Sequence, residues 1–127
     1  MKRIVIADDS GTARMMIRRC LEIIGLSDAE FAEAENGKEA LTLVKQEQTD
    51  LLVTDLNMPI MDGEALLKWV KASPRLFDLP VLVITSAGNP AIANNLLEIG
   101  AFAVINKPIN PAKLSDVLAP FLDSEEE

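Results

Sequence analysis

Four short apolar runs each stop on groups that carry charge or make hydrogen bonds, and this arrangement constrains the chain more than any other feature. Ile4-Val5-Ile6-Ala7 ends on Asp8-Asp9, and Leu51-Leu52-Val53-Thr54 ends on Asp55. Val81-Leu82-Val83-Ile84 ends on the hydroxyls of Thr85-Ser86, and Phe102-Ala103-Val104-Ile105 ends on Asn106-Lys107-Pro108. Runs this short and this continuously apolar suit strands buried on both faces, as in a parallel sheet covered by helices. Open parallel sheets bind ligands beyond the carboxyl ends of their strands, near the point where strand order reverses. The pattern therefore places three carboxylates, a hydroxyl and an ammonium on one rim.

Helical patterns fill the intervals, giving five βα units. From Gly11 to Ile24, the residues Ala13, Met16, Ile17, Cys20, Leu21 and Ile24 recur at helical spacing, with Arg14, Arg18 and Arg19 on the other, solvated face. Gly25 is placed to stop that helix in a left-handed conformation. Residues 29–34 make the weakest strand, expected at an edge. Asn36 is a helix cap with Glu39 three residues on, and Ala40, Leu41 and Val44 face inward. A third helix starts near Gly63 and buries Leu66, Leu67 and Val70, leaving Trp69 partly exposed. Asn89-Pro90 and Asn110-Pro111 each pair a capping residue with a proline suited to the first helical position. The fourth helix buries Ile92, Leu96 and Ile99 and ends at Gly100. The fifth buries Leu114, Val117, Leu118 and Phe121, with Pro120 expected to kink or fray its end. Met15, Met16, Met58 and Met61 read as packing and loop anchors.

A chain of 127 residues is one domain's worth. Residues 1–122 are expected to form it, with 123–127 an acidic, disordered tail and no output domain. Twelve Lys and Arg against twenty Asp and Glu leave a net charge of -8, which argues against nucleic acid as a partner, since that affinity rests on neutralising phosphates. No apolar stretch approaches a membrane span and no secretory leader precedes the first strand, so a cytoplasmic protein without membrane insertion is expected. Cys20 reads as a small core residue, and the absence of His leaves a zinc site almost no ligands.

Crowded carboxylates at adjacent strand ends repel one another, and burial raises their pKa values. A hard divalent cation with oxygen ligands relieves that repulsion, as does the ammonium of Lys107. Mg²⁺ suits carboxylates, water and a phosphoryl oxygen better than an all-protein cage. With a Lys and a hydroxyl aimed at the same space, one carboxylate can attack phosphorus while cations neutralise the transferred oxygens. Taken singly, each residue has a blander reading: strand-end aspartates form turns, Thr85 caps a helix, and Lys107 sits on the surface.

Four elements in register resemble a known family. Ala7-Asp8-Asp9-Ser10, Thr54-Asp55-Leu56-Asn57-Met58-Pro59 with Met61-Asp62-Gly63, Thr85-Ser86, and Lys107-Pro108 are similar to the receiver domain of bacterial response regulators, closest to the stand-alone chemotaxis kind. The likeness spans essentially the whole chain. It implies a flavodoxin-like, doubly wound α/β fold, a five-stranded parallel sheet in the order 2-1-3-4-5 between two helical layers. It also implies that Asp55 accepts a phosphoryl group from a histidine kinase. Asp9, Asp55 and the backbone carbonyl of Asn57 would ligate Mg²⁺, with Asp8 acting mainly through metal-bound water. Thr85 and Lys107 would each meet a phosphoryl oxygen, and Pro108 would follow a cis peptide. The molecule would be a monomeric phospho-accepting switch, not an enzyme acting on other substrates, read by a flagellar motor switch or a phosphorelay protein.

One position departs from the family. Three residues before the lysine, receivers usually carry Tyr or Phe, whereas this chain has Val104 and no Tyr. Phe102 is two residues earlier and so on the same strand face, but not at the family position. Two alternatives stand beside the switch. A Mg²⁺-dependent phosphohydrolase would carry a general-acid carboxylate two residues after its nucleophile, where this chain has Asn57. A pseudo-receiver that binds partners without phosphorylation draws support only from Val104.

Overall fold

A computed structural model describes residues 1–86 and 89–123. Five βα units alternate without interruption: β1 (Arg3–Ala7), α1 (Gly11–Leu21), β2 (Glu30–Ala34), α2 (Gly37–Gln46), β3 (Leu51–Asp55), α3 (Gly63–Ala72), β4 (Val81–Thr85), α4 (Pro90–Ile99), β5 (Ala103–Asn106) and α5 (Pro111–Asp123). All four strand pairings are parallel and the order is β2-β1-β3-β4-β5. The flavodoxin-like arrangement is therefore present, and strand order reverses between β1 and β3. Side chains alternate across each strand, so the sheet feeds two cores. Val5, Ala7, Leu52, Val81 and Val83 pack with Ala40, Val44, Leu66, Leu67, Val70 and Leu96 from α2, α3 and α4. Ile4, Ile6, Leu51, Val53, Leu82 and Ile84 pack with Ile17, Leu21, Leu114 and Leu118 from α1 and α5. Each fully buried aliphatic side chain contributes about 1.5–3 kcal/mol.

The three central strands are buried along their whole length, but β5 is only partly so. Its apolar run had suggested burial on both faces; as an edge strand it has a neighbour on one side only. Phe102 precedes β5, and its ring lies 5.1 Å from that of Phe121 on α5, whereas Val104 packs toward the α2–α4 core. The two residues therefore do not share a face. The first α-helix ends at Leu21, earlier than the periodicity suggested, and continues as a wider π-type turn over Glu22–Leu26 in which Gly25 has φ 111°. Met15 and Met16 are half exposed, so they do not join the packing of α1. The caps fall where expected: Asn36, Asn89 and Asn110 accept from the N–H groups of Glu39, Ile92 and Lys113 at 2.8–3.0 Å. Helix α5 runs three residues past Pro120. Of the tail expected at 123–127, Asp123 belongs to α5, and 124–127 lie outside the described residues.

Candidate functional site

The carboxyl ends of β1, β3, β4 and β5 bring the polar termini of the apolar runs together. Asp8 and Asp9 follow β1 directly and Asp55 is the last residue of β3. One carboxylate oxygen from each lies within 4.8 Å of the others. Asp8 and Asp55 are buried, whereas Asp9 is exposed. Lys107, just beyond β5, reaches across: its Nζ donates to Asp8 Oδ2 at 3.1 Å and Asp55 Oδ2 at 3.4 Å. The remaining oxygen of Asp55 accepts the N–H of Leu56 at 2.8 Å. Thr85 is buried at the end of β4, and its carbonyl accepts the Lys107 N–H at 3.0 Å, tying the ends of β4 and β5 together. The Lys107–Pro108 peptide is cis. Asn57 is exposed in the loop after β3.

The charges do not balance. Three carboxylates share one ammonium, and burial, reinforced by the charge of Asp8, raises the pKa of Asp55 despite Lys107 and the Leu56 N–H. Burial pushes the Lys107 ammonium down, but its hydrogen bond to Asp8 and the charges of both aspartates outweigh it, and the net shift is upward. A cluster of hard oxygen donors carrying surplus negative charge fits a small divalent cation such as Mg²⁺. An unprotonated Asp55 beside a cation and Lys107 has the makings of a nucleophile whose target bears anionic oxygens.

The loop from β3 to α3 is held close. The Gly63 N–H donates to the Leu56 carbonyl at 2.8 Å, and a Cβ on Gly63 would run into the Asp55 carbonyl oxygen and lie 2.9 Å from the Leu56 Cα. Only a glycine lets α3 begin this near the acidic residue. Within the loop, Ile60 has φ 70°, and the Met61 N–H donates to the Pro59 carbonyl at 2.7 Å, forming a strained, positive-φ γ-turn. Sequence reasoning missed this feature, since nothing in Pro-Ile-Met marks it. It also misjudged Arg14, which was placed on a solvated face. Its side chain is 15% exposed; Nη1 donates to the Asp8 carbonyl at 2.6 Å and Nε to Glu33 Oε1 at 2.8 Å. Position on the helix opposite the apolar stripe gave no hint of that contact, because it depends on where β2 delivers Glu33.

Comparison with known proteins gives a consistent picture. A family model described as the response regulator receiver domain matches residues 4–119. A chemotaxis protein CheY homolog of Campylobacter jejuni is 38% identical over 91% of this chain and 92% of its own. The chemotaxis protein CheY1 of Helicobacter pylori (strain J99) is 35% identical over 98% of this chain and 99% of its own. Among solved structures, the chemotaxis response regulator CheY4 of Vibrio cholerae superposes with a TM-score of 0.79 at 27% identity, covering 98% of both chains.

Proposed function

Since this chain belongs to the response regulator receiver domain family, we propose that it is a switch whose Asp55 takes a phosphoryl group from a phosphohistidine on a kinase. The family places it in two-component signalling. The observation that carries it is the meeting of Asp8, Asp9 and Asp55 within 4.8 Å, with Lys107 bridging Asp8 and Asp55, at the strand ends beside the order reversal. An Asp55 carboxylate oxygen forms the new bond to phosphorus while the bond from phosphorus to the imidazole nitrogen breaks, and that nitrogen keeps the electron pair. Lys107 exchanges its bond to Asp55 for one to a transferred oxygen, and the Thr85 hydroxyl takes another. Asp9, Asp55 and the Asn57 carbonyl would hold Mg²⁺ directly and Asp8 through water. When bound, the cation neutralises charge on the transferred oxygens.

The aspartyl phosphate carries about -1.5 to -2 charge and strong acceptor oxygens. Its recruitment of Thr85 and Lys107, which flank α4 along the chain, links the site to the α4, β5 and α5 surface, where a downstream protein reads the switch. The relatives' role in chemotaxis makes a flagellar motor switch the first target to test, with a phosphorelay protein the alternative, in a cytoplasmic setting. Incubation with acetyl phosphate and Mg²⁺ should add one phosphoryl group that hydroxylamine removes. Chelation and Asp55→Asn should each abolish labelling, because the metal or the nucleophile is gone. Labelling that survives in the Asn variant sinks the assignment, and catalytic turnover of small phosphomonoesters brings back the hydrolase.

A further inference from the structure

Asp8 and Asp9 are adjacent but are held in opposite ways. Every polar group of Asp8 is engaged: its N–H donates to the Ala34 carbonyl at 3.0 Å, Oδ1 accepts from the Ser10 N–H at 2.9 Å, Oδ2 accepts from Lys107, and its carbonyl accepts from Arg14 at 2.6 Å. Asp9 is exposed, and among the described residues nothing donates to its carboxylate. Where its carboxylate can reach therefore depends on its backbone and its own rotamers. The peptide joining the two aspartates is a rigid plane in which the Asp8 carbonyl oxygen and the Asp9 Cα move as one body. Arg14 holds the oxygen of that plane, while the other edge of its guanidinium is anchored to Glu33 on β2.

We propose that Arg14 is a positioning residue for the cation site: by fixing the Asp8–Asp9 peptide plane it aims the Asp9 carboxylate at Asp55. The proposal rests on the reading that Asp9 ligates Mg²⁺. Charge alone predicts the opposite effect. A guanidinium held on the Asp8 carbonyl repels a Mg²⁺ bound nearby, so deleting it should tighten metal binding, whereas losing the grip on the peptide plane should weaken it. Arg18 supplies the control. It lies on the same helix, 3.9 Å from Glu33 and 3.5 Å from Glu22, with its guanidinium over the Phe31 ring. It carries the same charge and has no contact with Asp8.

The test is calorimetric titration of the full chain with Mg²⁺ alone. Arg14→Gln should weaken binding threefold or more relative to wild type, and Arg18→Gln should leave it unchanged or slightly tighter. In the metal-free protein, the backbone amide resonance of Asp9 should shift in Arg14→Gln and stay in place in Arg18→Gln. Arg14→Lys keeps the charge, but a single ammonium cannot match the two-edged hold on the carbonyl and Glu33, so it too should bind more weakly. That variant decides the matter if Arg14→Gln fails to fold. Binding by the folded Arg14 variants as tight as that of Arg18→Gln overturns the proposal and leaves the phosphoacceptor reading intact. A wild-type protein that binds no Mg²⁺ overturns the reading of the site, and the positioning role with it.

Discussion

Asp55 is held where its own charge is least welcome. Burial and the neighbouring Asp8 raise its pKa in the folded protein, while in the unfolded chain it returns to about 3.9. Between those values the folded state binds more protons than the unfolded one, so stability falls as pH rises through the window and is fully present only below it. Metal-free Asp55→Asn should therefore be more stable than wild type at pH 7, with the gain shrinking toward pH 4. Urea unfolding in chelator at both pH values measures this, and a less stable Asn variant at pH 7 would contradict it. Ile60 shows the same tension between stability and site in backbone form. A β-branched residue at φ 70° is strained, and its side chain, 78% exposed, recovers little by packing. Ile60→Gly should raise metal-free stability by about 1 kcal/mol, after allowing for the extra freedom glycine has in the unfolded chain. A lower urea midpoint would mean that the side chain packs after all.

Most elements were legible in the sequence because each is specified locally. The capping asparagines, the starts of α3, α4 and α5, and the buried strands β1, β3 and β4 all follow from side chains acting on their nearest neighbours. What could not be read depends on residues distant in sequence. The apolar run alone does not make β5 an edge strand, which follows only from the strand order that the family resemblance implies, and nothing in the run shows that Phe102 turns to meet Phe121. Helical spacing assigns Met16 to the apolar stripe, yet the structure leaves it half exposed. The rim likewise divides. Strand-end spacing gathers Asp8, Asp9, Asp55 and Lys107, but the guanidinium on the Asp8 carbonyl and the γ-turn at Ile60 require the assembled fold. Gly63 is the residue through which an element boundary controls the site. Since a Cβ there meets the backbone of Asp55 and Leu56 rather than a yielding side chain, Gly63→Ala should cost about 1–3 kcal/mol and displace Asp55. Thermal unfolding and acetyl phosphate labelling should therefore fall together; an Ala variant of native stability would show that the start of α3 can move without penalty.

At the scale of the molecule, the helices are held to the sheet unequally. Helices α1 and α3 are pinned by Ile17, Cys20 and Leu21 and by Gly63, Leu66, Leu67 and Val70, whereas α4 has Leu96 as its one fully buried residue. An element with few buried contacts opens at the lowest cost, and α4 begins just beyond the Thr85 end of β4. Val104, opposite Val83 and partly buried, has no ring to swing and few rotamers to choose among. A signal leaving Thr85 should thus travel through displacement of the start of α4, with little rotamer change at residue 104. Without a ring behind Thr85, the inactive and active positions should also differ less in free energy, biasing the unphosphorylated protein toward partial activity. Adding beryllofluoride, a phosphoryl mimic, should concentrate backbone amide shifts in Ser86 and Asn89–Asn94 while the Val104 methyl signals stay nearly in place. Exchange broadening of α4 should already be present in the unmodified protein. A large rotamer change at Val104, or an unmodified α4 as rigid as α1, would mean that β5 rather than α4 carries the signal.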